Sequence, residues 1–158
     1  MAFEFEIRGS RLVGRQLGRI DWQDIDDAHA AVGGVLLENP DVHQILLDLR
    51  RASLELRVGE VEELAMLGRL TTGGEVRITA IVPPPDPGGA AIAARYAATI
   101  RDLGGNARVF DTMPEAIDHL DKAGRTDTLP AGVRFARALR AALRRAWPDS
   151  EGRARPSR

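Results

Sequence analysis

The chain has 158 residues, which is enough for one domain with a single hydrophobic core. It contains no cysteine, so disulfide bonds, thiolate metal sites and a cysteine nucleophile are excluded. No apolar run approaches the roughly 20 residues of a membrane-spanning helix, and the first residues do not resemble a signal peptide. We therefore expect a cytoplasmic protein. Its net charge of −1 is unevenly distributed, because nine arginines but only three acidic residues follow Gly124.

An antiparallel hairpin and a helix are predicted before the centre of the sheet. Apolar and charged residues alternate over Ala2–Arg8, and a second strand over Arg11–Gly18 follows a Gly-Ser turn. Asp21 is expected to cap a helix, because its carboxylate can accept hydrogen bonds from the first turn. The apolar stripe of this helix includes His29, and Asn39-Pro40 ends it.

The strand over Val42–Arg51 is predicted to be buried on both faces, at the centre of a parallel sheet. We expect a charged connection over Arg50–Arg57 and then a helix over Gly59–Leu70. Gly68 lies on the inner stripe of that helix. Because glycine lowers helix stability, its presence there indicates close packing.

The second half of the chain repeats this alternation. A β-branched strand is predicted over Val76–Val82, and the proline-rich segment Pro83–Gly89 is expected to lack regular structure. An alanine-rich helix over Ala90–Leu103 precedes a short strand over Ala107–Asp111. A Thr-x-x-Glu capping box then predicts a helix over Thr112–Gly124.

The predicted order is β-β-α-β-α-β-α-β-α, which indicates an α/β fold. We expect a mixed sheet with an N-terminal antiparallel hairpin and parallel strands, with helices on both faces. Residues 1–124 form this domain. Residues 125–158 are expected to hold a linker, a basic amphipathic helix over Val133–Trp147 and a polar tail.

Three roles are open for the helix over Val133–Trp147. It can dock its apolar side on the domain, form a homodimer with a second copy, or bind an acidic surface through its arginines, either anionic lipid or a partner protein. Nucleic acid is not expected as a partner, because the acidic body of the chain repels phosphate.

The sequence contains no motif that predicts catalysis. The three histidines lack the spacing of metal ligands, and no Gly-x-Ser-x-Gly nucleophile motif is present. The glycine pairs do not form a nucleotide-binding pattern. We therefore expect neither catalytic residues nor a metal site nor a cofactor, and we rank a hydrolase-like enzyme lowest among the possible functions.

The best candidate for a binding site is the edge where the parallel strands end. Gly88 and Gly89 follow a strand and open a helix, so their N–H groups could receive an anion beside Asp86. Arg50 and Arg51 leave the central strand at the same edge. These loops are expected to form one basic-rimmed surface that binds a ligand or a partner.

Several local patterns resemble a known family. They are the helix start Ile20-Asp21-Trp22, the strand end Leu47–Arg50, and the strand Arg108–Asp111 before a Pro-Glu-Ala helix. Together with the opening hairpin they resemble STAS/SEC14-type bacterial domains, the group similar to the sporulation stage II anti-sigma factor antagonist. The resemblance covers Phe3 to Gly124. It implies a non-enzymatic α/β interaction module that acts in bacterial signalling through protein–protein binding.

The resemblance also raises the question of a phosphorylation switch. Antagonists of this family carry a phosphorylatable serine at the start of the helix after the central strand. In this chain Ser53 is the only hydroxyl in that segment, and it lies several residues before the predicted helix. A switch of the family's usual kind is therefore not expected, although Ser53 remains a candidate site residue.

The alternative function is a binder of a small apolar or anionic ligand, lipid-like, at the loop edge of the sheet, as the SEC14-like part of the resemblance implies. A buried apolar cavity opening near Pro83–Gly89 would favour this alternative. A flat and filled loop edge would favour protein–protein binding.

Overall fold

The computed structural model describes residues 2–71 and 77–125. The predicted linker, the helix over Val133–Trp147 and the polar tail lie outside the described residues. The homodimer and lipid roles considered for that helix therefore remain predictions.

Within this part of the chain five strands and four helices follow one another in the predicted order. The strands are β1 (Ala2–Arg8), β2 (Arg11–Ile20), β3 (Gln44–Leu54), β4 (Ile78–Val82) and β5 (Asn106–Val109). The helices are α1 (Trp22–Glu38), α2 (Val58–Thr71), α3 (Pro87–Asp102) and α4 (Met113–Arg125).

The strands form one mixed sheet in the order β1-β2-β3-β4-β5. β1 is antiparallel to β2, and every other neighbouring pair is parallel, which confirms the predicted fold class. The register of β2 against β3 shifts between Arg15 and Leu17, which pair with Asp48 and Arg51. β3 therefore holds one extra residue there, as in a β-bulge.

The two faces of the sheet are covered by different helices, as predicted. On one face Leu49 and Ile81 pack with Ala65 of α2 and Ala93 of α3, and Ile45 packs with residues of α1. We call this the α1–α3 face. On the other face the strand residues pack against Ala116 and Leu120 of α4, and we call it the α4 face. The strand residues packed there are Val13, Leu46, Ala80 and Val82.

β3 is longer than predicted, so the expectation of a charged connection from Arg50 is wrong. β4 pairs with β3 only as far as Asp48, but β2 continues to pair with β3 to Leu54. The strand continues because two of its apolar side chains contact the core. Ala52 is buried in the core of the α1–α3 face, and Leu54 packs against the same cluster. Burial of these two side chains continues the strand in spite of its charged neighbours.

The proline-rich segment is also more regular than predicted, because α3 begins at Pro87. Proline is well suited to the first helical position, where its fixed φ is helical and no N–H is needed. Asp86 is the N-cap, and its side chain accepts a hydrogen bond from the Gly89 N–H. The most buried side chains of α3 are Ala93, Ala97 and Ile100, which face the core.

The two predicted helix caps, at the starts of α1 and α4, are confirmed by their hydrogen bonds. Asp21 and Asp24 form a reciprocal capping box at the start of α1. Thr112 and Glu115 form the same arrangement at the start of α4. After α3 the chain turns at Gly104, whose φ of 78° is readily adopted by glycine alone.

Candidate functional site

Arg50 is held in place by an aspartate on its own strand. Its Nε and Nη2 each lie 2.9 Å from an oxygen of the Asp48 carboxylate, which forms a forked ion pair. The hydrogen bonds from the Arg50 guanidinium lower the pKa of the Asp48 carboxyl. Asp48 is therefore ionised at neutral pH, and much of the charge of Arg50 is neutralised locally.

Arg51 and Ser53 point to the α4 face of the sheet. Arg51 pairs with Leu17 and Ser53 with Arg19, two residues further along each strand. Leu17 and Arg19 share a face with Val13, which packs under α4. Both Arg51 and Ser53 are exposed, and Arg51 has no ion-pair partner within residues 2–71 and 77–125.

Asp86, Gly88 and Gly89 form the start of α3. The Gly89 N–H donates to Asp86 Oδ1 over 2.7 Å, so the position that an external anion would take is occupied by the protein's own carboxylate. Since α3 packs on the α1–α3 face, the register places these three residues across the sheet from Arg51 and Ser53. The six candidate residues thus form two groups at the carboxyl ends of the strands.

The loop that leads into α3 is filled by a proline. Pro84 is one of the largest fully buried side chains in the described part of the chain. A Cβ atom on Gly89 would lie 2.8 Å from Pro84 Cγ, so only glycine allows this close approach. The loop edge is therefore packed rather than open.

A cavity of about 130 Å³ lies elsewhere, between the sheet and the helices of the α1–α3 face. Its walls are mostly apolar. They include Leu47 and Leu49 of β3, Ile81 of β4, Ile25 and Val32 of α1, and Ile92 of α3. None of Pro83–Gly89 lines it, so it does not open at the edge where the sequence placed a ligand.

The cavity is partly open to solvent. Protein interiors are close-packed, with few spaces larger than a water molecule, so an apolar recess of this size is an uncommon feature.

A histidine and a tyrosine meet in the cavity wall. His29 Nε2 lies 3.0 Å from the Tyr96 hydroxyl, and the two rings stack. Burial lowers the pKa of His29 to about 4, although the charge of Asp26 opposes this shift, and burial raises the pKa of the Tyr96 phenol. Both side chains are therefore neutral at pH 7.

The close packing predicted at Gly68 is confirmed at this pair. A Cβ atom on Gly68 would lie 2.9 Å from the Tyr96 hydroxyl and 3.2 Å from His29 Nε2. The partners could not be read from the sequence, since His29, Gly68 and Tyr96 come from three different helices. The sequence offered only the signal of a glycine inside a helical stripe.

The described residues provide no metal site and no membrane helix. In residues 2–71 and 77–125, no three His, Cys, Asp or Glu side chains are grouped so that they could hold a metal ion. No helix in the same residues has the length and apolar character needed to cross a membrane.

Comparisons with known proteins give matches only among solved structures. No protein-family model and no curated protein sequence matches this chain. The unphosphorylated anti-sigma factor antagonist SpoIIAA is 18% identical, with a TM-score of 0.49, over 76% of this chain and 98% of that one. The phosphorylated form of SpoIIAA, a Bacillus cell fate determinant, is 20% identical at a TM-score of 0.49, over 75% of this chain and 99% of that one.

An uncharacterized Shewanella loihica protein with a SpoIIAA-like fold gives a similar result. It is 19% identical with a TM-score of 0.49, over 75% of this chain and 92% of that one. All three structures are described as SpoIIAA or SpoIIAA-like. Phosphorylation and the antagonism of an anti-sigma factor are properties of the proteins so named.

Proposed function

We propose that this chain is a non-enzymatic binding module that acts in bacterial signalling by holding a protein partner. The observation that carries this proposal is the filled loop edge. Pro84 packs against Gly89, and the Gly89 N–H at the start of α3 already donates a hydrogen bond to the Asp86 carboxylate. A filled edge leaves no recess for a small molecule there, but it offers a surface to a folded partner.

Charge at this edge indicates what kind of partner fits. Arg51 is exposed and has no ion-pair partner in the described part of the chain, whereas Arg50 is fixed by Asp48. A free guanidinium next to a rigid one favours an acidic patch on the partner, which arginine can bind through two parallel hydrogen bonds. Ser53 lies two residues beyond Arg51 and points to the same face.

Ser53 is part of this surface in the proposal, but as a contact and not as a phosphorylation switch. It lies inside β3, while α2 begins at Val58. Its position therefore differs from that of a serine at a helix start, where a phosphate would meet free N–H groups. A small hydroxyl beside Arg51 allows the partner to approach the strand closely.

The test is a charge reversal with a matched control. Arg51→Glu and Arg50→Glu change the carboxyl end of β3, whereas Arg8→Glu changes the hairpin at the opposite end of the sheet. Arg8 and Arg50 are well matched, because each pairs with an acidic residue two positions earlier. Tagged full chains are used to capture proteins from bacterial lysate, and the bound proteins are quantified by mass spectrometry.

The proposal predicts at least one protein that the wild type and Arg8→Glu capture in equal amounts. Arg51→Glu should capture about tenfold less of it, or even less, because a charge reversal opposes association with an acidic patch. The captured protein should then bind the purified chain with the same ranking. Equal capture by all variants, when each remains folded by circular dichroism, would contradict the proposal.

A further inference from the structure

We propose that the cavity on the α1–α3 face binds a small organic molecule with an apolar body, of the size of a benzene ring or a short acyl chain. This goes beyond the protein-binding surface, which lies at the ends of the strands. The volume of about 130 Å³ is close to that of engineered apolar cavities of about 150 Å³ that bind benzene. A cavity of this size therefore accommodates a molecule of about six to eight carbon atoms.

The walls determine the chemistry of the occupant. The sheet lines one side of the cavity with Leu47, Leu49 and Ile81. The helices line the opposite side, with Val32 and Ile92 among their residues. Most of the lining is apolar, so few polar atoms are available to hold water against it. An apolar molecule removes its own surface from water when it enters, so it is the favoured occupant.

One group of polar residues lies at one end of the cavity. Thr79 and Asn106 lie near the amino ends of β4 and β5, beside Arg77. Arg77 is buried, and its Nε donates a hydrogen bond to the Val42 carbonyl over 3.1 Å. The Thr79 hydroxyl and the Asn106 amide at this end suit one polar group at the tip of the ligand, while the mostly apolar walls suit an apolar body.

Small side chains on the helices keep the space open. Ala28 of α1 and Ala93 of α3 are both buried and both line the cavity. A larger side chain at either position would enter the space that the ligand needs. These positions therefore provide variants that block the site without touching the surface of the protein.

The experiment uses the full chain with three probes: benzene, 1-hexanol and hexanoate. Methyl groups of Leu, Ile and Val are labelled with ¹³C and their NMR shifts are followed during titration. We expect saturable shifts of Leu47, Leu49 and Ile81, and no saturable shift of Leu46 or Leu120, which pack on the α4 face. Tightest binding of hexanoate would indicate an anionic head group at the Arg77 end, and tightest binding of benzene or hexanol a neutral ligand.

Matched alanine-to-leucine substitutions test where the probe binds. Ala28→Leu fills the cavity and is expected to weaken probe binding at least tenfold, whereas Ala31→Leu places the same side chain on the exposed side of α1 and should leave binding unchanged. Ala93→Leu fills the cavity from α3 and serves if Ala28→Leu does not fold. The proposal is overturned if no probe saturates the wild-type chain, or if the filling variants bind as tightly as Ala31→Leu.

Discussion

At the scale of single residues, the most constrained contact is between Gly68, His29 and Tyr96. The glycine allows α2 to approach the imidazole and the phenol, which hydrogen bond to each other in the cavity wall. His29 Nδ1 is buried and has no hydrogen-bond partner in the described residues. An unpaired buried nitrogen is unfavourable and favours the neutral ring.

Gly68→Ala should destabilise the fold even though alanine is the better helix former. The new methyl group forces Tyr96 or His29 to move, and such overpacking outweighs the gain in helix propensity, for a net loss of about 1–2 kcal/mol. Gly34→Ala is the control, because nothing lies within 4 Å of its Cβ position on α1. That variant should gain about 0.5–1 kcal/mol. Urea unfolding of both variants measures the difference, and a loss in both or a gain in both would refute the packing described here.

His29 should make the fold less stable in mild acid. Its pKa is about 4 in the folded chain, below the ordinary value of 6.5. Between these pH values the unfolded chain binds a proton that the folded chain does not, so the free energy of unfolding falls as the pH drops from about 6.5 to 4. At 1.36 kcal/mol per pKa unit, the total loss is about 3 kcal/mol.

The variant His29→Gln has no imidazole at this position, so its free energy of unfolding should lose this part of the pH dependence. His43→Gln is the control, because the His43 ring is partly exposed and hydrogen bonds to the Asp41 carbonyl. Contributions to the pH dependence that the two variants share cancel in the comparison. Chemical denaturation at several pH values measures the slopes. If the free energy of unfolding depended on pH equally in His29→Gln and His43→Gln, His29 would not be buried as a neutral ring.

At the scale of elements, sequence reasoning was accurate where local chemistry decides the outcome. The N-cap at Asp21 and the capping box at Thr112 were recognisable, because side chains close in sequence make them. The end of β3 was missed, since Ala52 and Leu54 continue the strand through contacts with residues far along the chain. The start of α3 was misplaced because the prolines were weighed as breakers, while Pro87 occupies the one position that suits it.

The N-cap of α3 can be tested directly. Asp86→Ala removes the acceptor of the Gly89 N–H and should lower the free energy of unfolding by about 1 kcal/mol. Asp86→Ser keeps a capping oxygen and should retain most of the stability. Thermal or urea unfolding distinguishes the two. Equal stability of both variants with the wild type would mean that the hydrogen bond contributes nothing.

At the scale of the whole molecule, the layers of the fold followed from the sequence but the cavity did not. The continuous apolar run of the central strand predicted burial on both faces, and the structure confirms helices on both. Whether small residues such as Ala28 and Ala93 leave a void depends on how three helices settle on the sheet. The distance between the helices and the sheet depends on all of their contacts together, so no local sequence pattern predicts it. The sequence predicted one surface for Arg50, Arg51, Ser53, Asp86, Gly88 and Gly89, but the register divides these residues between two faces of the sheet.

The most direct test of the central proposal is the affinity of the purified full chain for its captured partner. Calorimetric titration compares wild type, Arg51→Glu and Arg8→Glu at the same ionic strength. We predict that Arg51→Glu raises Kd about tenfold or more, and that Arg8→Glu leaves it unchanged within a factor of two or so, because only the former alters the end of β3. An unchanged Kd for Arg51→Glu, or an equal rise for Arg8→Glu, would contradict the account.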